Sequence, residues 1–293
     1  MRSGSVEPAR LNMPAVPATH SAFASFEQKW LVANPEQAAV AVFLSPPLRQ
    51  RAAAFACLVH ELEQAAFHLP EAQIASAKLA WWMQELALAV DGKSRHPITQ
   101  TVFADAVVRA ADPALWRALT EGALAQLDQT PAASLDELLA QFEPFHVAVA
   151  HAEATLFCVD AANIDANAAL RTISHLLREL PQPAGIAERS LLPLNLLARH
   201  GVMRVNLSEA TPARAALVKD HLATLQFEIV GALGIVSART LGQCVRVRLD
   251  RESIKAALRA PDPLAILARR SLAGRWCSLW AAWREAQSLA RRG

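Results

Sequence analysis

The side chains able to do chemistry gather in one stretch, "CLVHELEQAAFHLPEAQIASAKLAWWMQEL", residues 57–86. His60, Glu61, Glu63 and His68 crowd its first half. Histidines and carboxylates are the groups of metal ligation and of general acid–base catalysis. "HELEQ" follows the zinc-binding HExxH pattern only until Gln64 takes the second histidine's place, which excludes that site. His60 and His68 are separated by roughly 12 Å along a helix axis, too far to share an ion. Glu61 and Glu63 point to opposite sides of a helix and cannot act as a pair. Glu63 lies roughly 80° from the centre of the apolar face formed by Phe55, Leu58, Val59, Leu62, Ala66 and Leu69, and can look into a space between helices. Phe67, one turn later, is stacked beside it.

A second candidate is "LRTISHLLREL", residues 170–180. Leu170, Ile173, Leu177 and Leu180 form a buried stripe, and Arg171, His175 and Arg178 form a basic stripe at i, i+4, i+7. Such a row could grip a diphosphate directly, by charge-assisted hydrogen bonds without metal. It could equally be a solvated face with local pairs, for example His175 with Glu179. At the C-terminal end, Trp276, Trp280 and Trp283 recur at i, i+4, i+7 among Arg269, Arg270, Arg275, Arg284, Arg291 and Arg292. That pattern suits the surface of an anionic membrane. It suits as well a last helix docked on a bundle with its arginines in water.

The elements that must position these residues are helices. Hydrophobic residues make up 53% and charged residues 19%, enough for a sizeable core, and the apolar runs are rich in Ala and Leu with only 10 Gly in 293 residues. That balance favours helix over strand. From Pro35 onward, amphipathic segments alternate with short breaks marked by Pro, Gly or Asp. Asp112 before Pro113 reads as an N-cap with Pro at the first helical position. Ser134 with Glu137 reads as a capping box, and the segment 212–240 reads as the longest helix. Neither a fixed repeat nor a strand–helix alternation is visible. The expectation is one all-α domain over residues 21–293, a bundle of long antiparallel helices, after a disordered leader over residues 1–20.

A net charge of +2 argues against nucleic acid as a partner. Cys57, Cys158, Cys244 and Cys277 lie far apart and read as buried thiols of a cytoplasmic protein. No apolar run approaches the roughly 20 residues of a membrane span.

"KLAWWMQELALAVDGKSRHPIT", residues 78–99, resembles the "LxWWxxEL…G…HPV" signature of the squalene/phytoene synthase family. "FLSPPLRQRAAAFACLVHEL" upstream, and "HAEATLFCV", "LLREL" and "ERSLLPLNLLARHG" downstream, resemble the family's other blocks in order and spacing. The likeness is good over about residues 35–205 and looser beyond. It implies an all-helical, single-domain bundle of the isoprenoid synthase type with a central cavity. Active members carry two DxxxD motifs that hold magnesium against a prenyl diphosphate, because carboxylates four apart share a helix face. The first motif falls here on Glu63 and Phe67, the second on Glu179 and Pro183, so each retains one acid. His151 matches the place of a tyrosine that many relatives carry, in a chain without tyrosine.

The resemblance therefore implies Glu63, Glu179 and His151 as candidate catalytic residues, with Glu63 and Glu179 the remaining magnesium ligands of an active enzyme. Arg49, Lys78 and Arg189 match positions that tend to be basic in the family, and join Arg171, His175 and Arg178 as candidates for binding substrate. Similar erosion occurs in relatives linked to assembly of respiratory complex I. The implied function is a divergent member that lacks the metal-dependent condensation and binds a prenyl lipid, a prenyl diphosphate or a protein partner, with peripheral membrane contact compatible with either. The alternative is an active prenyltransferase that joins two prenyl diphosphates with magnesium as cofactor.

Overall fold

The computed structural model of the chain describes residues 18–159, 161–182, 191–236, 238–270 and 275–291. Among them are fourteen α-helices and no strand, the all-α class that the sequence implies. In order they are α1 (Ala18–Ala33), α2 (Glu36–Ala41), α3 (Pro46–Phe67), α4 (Ala72–Val90), α5 (Pro97–Val102), α6 (Ala106–Arg109) and α7 (Pro113–Leu124). There follow α8 (Leu135–Phe157), α9 (Ile164–Glu179), α10 (Leu194–Arg199), α11 (Pro212–Ile235), α12 (Leu241–Arg259), α13 (Pro263–Arg270) and α14 (Arg275–Ala290). α1 takes in residues 18–20, the last three of the expected leader; residues 1–17 lie outside the described residues.

Helix starts follow the local chemistry. The Asp112 carboxylate accepts from the Ala114 amide at 2.8 Å, capping α7. The Ser134 hydroxyl accepts from Glu137 N at 3.2 Å, while Glu137 reaches back to Ala133 N at 2.7 Å, one residue beyond the partner of a standard capping box. α11, with 24 residues, is the longest helix.

The signature around the tryptophans is built for packing. Trp82 is buried, Trp81 is half exposed, and the His96 ring stands edge-on to both. The buried Glu85 carboxylate accepts from Arg95 N, His96 N and the Thr99 hydroxyl at 2.7, 2.8 and 2.6 Å, holding the entry to α5. Burial works to raise the pKa of Glu85, but these three donors outweigh it and hold the carboxyl below its ordinary value.

Around Leu58, Leu62, Leu119 and Phe145, all fully buried, α3 meets α7 and α8 in one core. α7 and α8 approach at Gly122, where a Cβ would lie 2.6 Å from the Pro144 carbonyl oxygen and 2.8 Å from Phe145 Cα. α9 packs between α8 and α11, and α12 carries α13 and α14.

The expectation of four buried thiols is corrected: Cys57 and Cys244 are buried, whereas Cys158 and Cys277 are exposed. Cys158 ends α8 in a left-handed conformation, with φ of 53°, and Cys277 lies on the outer side of α14. Among the described residues no helix is long and apolar enough to cross a membrane.

Candidate functional site

A cavity of about 450 Å³ opens between α1, α2, α3, α8, α9, α12 and α14. Trp30, Leu31, Phe55, Val59 and Leu170 supply much of its apolar wall. α3 contributes Ala56, Val59, His60 and Glu63, and α9 contributes Asn167, Leu170, Arg171, Ser174 and Arg178, a set at helical spacing on one face. Asn34, just beyond the end of α1, and Gln243 and Arg246 of α12 complete the polar part.

Two arginines converge there on a single oxygen. Arg178 Nη1 and Arg246 Nη2 each donate to Asn34 Oδ1 at 2.9 Å, and Arg246 also donates to Glu36 at 3.1 Å. Desolvation lowers the pKa of Arg178, the nearby Arg246 charge adds to that effect, and Glu63 and Glu36 oppose it. Arg171 pairs with Glu153 of α8, its Nε 3.0 Å from the carboxylate, and Gln243 donates to the same Glu153. Ser174 donates to Asp250 of α12. Burial pushes the Asp250 carboxyl up to about 6, against the pull of Ser174, Arg246 and Arg178.

Several polar atoms on this wall are buried without a hydrogen-bond partner: both ring nitrogens of His146, Asn167 Oδ1 and Arg178 Nε. Desolvation first, then the Arg171 and Arg178 charges, hold His146 well below its ordinary pKa, so its ring is neutral. A neutral imidazole carries one donor and one acceptor. Left unpaired in a protein interior, such atoms are costly, about 1–3 kcal/mol each.

The structure brings some of the expected residues together and separates others. Glu63, Arg171 and Arg178 line the cavity. Arg49 stands exposed on its wall, donating to the Leu44 carbonyl at 3.2 Å. His175 is buried and lines a second cavity of about 200 Å³, together with Glu179, Phe67, Phe142 and Gln126. Glu179 lies 3.6 Å from His68 there, so Glu63 and Glu179 face different spaces. Lys78 lies outside both cavities. With Lys29 it clasps the buried Glu61, at 3.1 and 2.7 Å, pinning α1 and α4 to α3. His151 is exposed and lines neither cavity. Arg189 and Pro183 lie outside the described residues.

These residues do not fit a magnesium cluster of the family's type. Among the described residues no three His, Cys, Asp or Glu side chains are grouped so that they could hold an ion. Phe67, at the place of the first motif's second acid, packs its ring 4.4 Å from His175 and 5.6 Å from Phe142. Donors that hold a hard cation must be oxygen atoms, and the Phe67 ring offers none.

Asn34, Glu36, His146, Glu153, Arg246 and Asp250 are the site residues that sequence reasoning missed. Arg246 and Asp250 stand i, i+4 on a helix where the motif likeness is loose. Asn34 sits in the break between α1 and α2 and Glu36 opens α2, and only their contacts mark them.

An all-α bundle around an apolar cavity with charged side chains in its wall is the architecture of isoprenoid synthases. The family model for squalene/phytoene synthase matches residues 34–232, more than half of the chain, and the chain belongs to that family. Among solved structures it is similar to the squalene synthase HpnC from Alicyclobacillus acidocaldarius, with 15% identity, a TM-score of 0.59, and coverage of 88% of this chain and 97% of the other. It is also similar to a dehydrosqualene synthase in complex with ligand, with 14% identity, a TM-score of 0.67, and coverage of 94% and 98%. At these identities the likeness is one of fold. No curated protein matches in sequence.

Proposed function

We propose that this squalene/phytoene synthase-family protein holds a prenyl diphosphate or related prenyl lipid in the cavity by arginine rather than by magnesium. On this reading it does not perform the metal-dependent condensation and acts by binding, keeping the lipid or presenting it to a protein partner in the cytoplasm. The observation that carries the reading is the convergence of Arg178 and Arg246, from two helices, on the Asn34 oxygen in the wall of a largely apolar cavity. The volume of about 450 Å³ falls in the range of small-molecule sites. Guanidinium groups bind diphosphate oxygens through strong, directional hydrogen bonds. An incoming anion would take over the acceptor role of Asn34 and Glu36, and it would give Arg178 Nε the partner it lacks.

A second reading, a working prenyltransferase, draws support from Glu63, an acid of the family motif that does line the cavity.

Calorimetry with farnesyl diphosphate, in EDTA and then in magnesium, separates the two when combined with an assay for released pyrophosphate. The proposal expects binding in EDTA, weakening roughly tenfold in Arg246→Gln through loss of a charged hydrogen bond, and no pyrophosphate. Magnesium-dependent release of pyrophosphate that disappears in Glu63→Ala would establish the transferase instead.

A further inference from the structure

α14 is amphipathic in an unusual sense. Its inward side carries Ser278, Ala281 and Ala282, all buried, the last two packed on Val40, Leu241 and Val245. Next to them Ala286 and Leu289 reach the wall of the cavity. Its outward side carries the large apolar groups: Trp276, Trp280 and Trp283 are 83%, 49% and 48% exposed.

At about 100° per residue the three rings occupy an arc of roughly 60°, with Arg291 and Arg284 along one edge of it. Both arginines are exposed, and neither has a carboxylate partner among the described residues. Glu285, the acid of this helix, points the opposite way and pairs with Arg248 of α12, whose Nε is 2.6 Å from it. The guanidinium carbons of Arg284 and Arg248 lie 5.1 and 5.9 Å from the Trp280 ring centre, so the aromatic arc has cations beside it and no acid within it.

We propose that the outer face of α14 docks the protein on an anionic phospholipid bilayer. Tryptophan rings are amphipathic and settle at the boundary between head groups and acyl chains. Arginines beside them meet the lipid phosphates. A bilayer requires only these two properties of a surface, whereas a protein partner would need acids placed to match the two arginines. Position supports the same occupant, because the helix that would lie in the interface is also a wall of the cavity. The surface stands whatever the cavity holds.

The test uses the full chain, with no prenyl ligand, and co-sedimentation with phosphatidylcholine vesicles with or without phosphatidylglycerol. The parent protein should sediment with the phosphatidylglycerol vesicles and release as salt is raised. Trp276→Ala with Trp280→Ala should lower partitioning by more than roughly tenfold, from lost apolar burial. Arg284→Glu should lower it roughly fivefold or more on anionic vesicles, with little change on neutral ones. These side chains are exposed, so unchanged thermal unfolding of each variant will show the fold intact. Absence of vesicle binding by the parent, or binding that the variants leave unaltered, would overturn the proposal. A concentration-dependent dimer in sedimentation velocity, abolished by the same tryptophan substitutions, would assign the face to self-association instead.

Discussion

Phe67 and Asp250 define the site as much as Glu63 does. Phe67 puts a ring where the family's pattern puts a carboxylate, and the ring is held by His175 and Phe142. Asp250 places an acid near Arg178 and Arg246 from a helix with no family motif, and Ser174 donates to it. Its raised pKa has a definite sign. The folded chain holds this proton more tightly than the unfolded chain, so the stabilisation is complete below the ordinary value of 3.8 and is lost as pH rises through about 6. Asp250→Asn removes the titration. Between about pH 5 and about pH 7.5 its stability relative to the parent should improve by about 1 kcal/mol, measured by urea unfolding at both pH values. A pH-independent difference would show that Asp250 keeps its ordinary pKa. The sequence pointed to Glu63 because its angle on α3 is a local property. It could not point to Asp250, whose effect depends on arginines from two helices, 178 on α9 and 246 on its own.

The helices themselves were largely legible, because their signals are local. Asp112 and Ser134 cap where their types and neighbours require, and the break at Thr211–Pro212 starts the longest helix. Which face of each helix meets which neighbour was less legible. Arg171, His175 and Arg178 share a stripe by spacing, yet His175 turns to the smaller cavity while the arginines turn to the larger. The reason is that α8 lies along that stripe and Phe67 and Phe142 claim the histidine ring. Glycines carry the same lesson. Gly122 sits where α7 and α8 touch through backbone, whereas a Cβ at Gly234 in α11 meets nothing within 4 Å. Gly122→Ala should cost about 1–3 kcal/mol, since backbone atoms cannot step aside as a flexible side chain can. Gly234→Ala should instead gain about 0.5–1 kcal/mol from helix propensity. Calorimetric melting of both proteins would test the pair, and equal shifts would refute the close approach.

At the scale of the molecule, the larger cavity is assembled from both ends of the chain. Its wall runs from Glu27 in α1 to Leu289 in α14, so no single block of sequence contains it. The family likeness, good over about residues 35–205, covers the middle of that wall and announces the kind of fold. The ends, with Asn34 and Arg246, give the charged part its present character. A cavity of this kind depends on the whole fold being closed. Asn34 joins its ends: one amide oxygen receives a guanidinium from α9 and another from α12, and the same side chain donates back to the Trp30 carbonyl at 3.0 Å, at the last turn of α1. Whatever draws those arginines inward must loosen or tighten that turn. The opening helix thus reports on what sits in the interior, and amide exchange at residues 30–34 should change when diphosphate is added, well before any product could form.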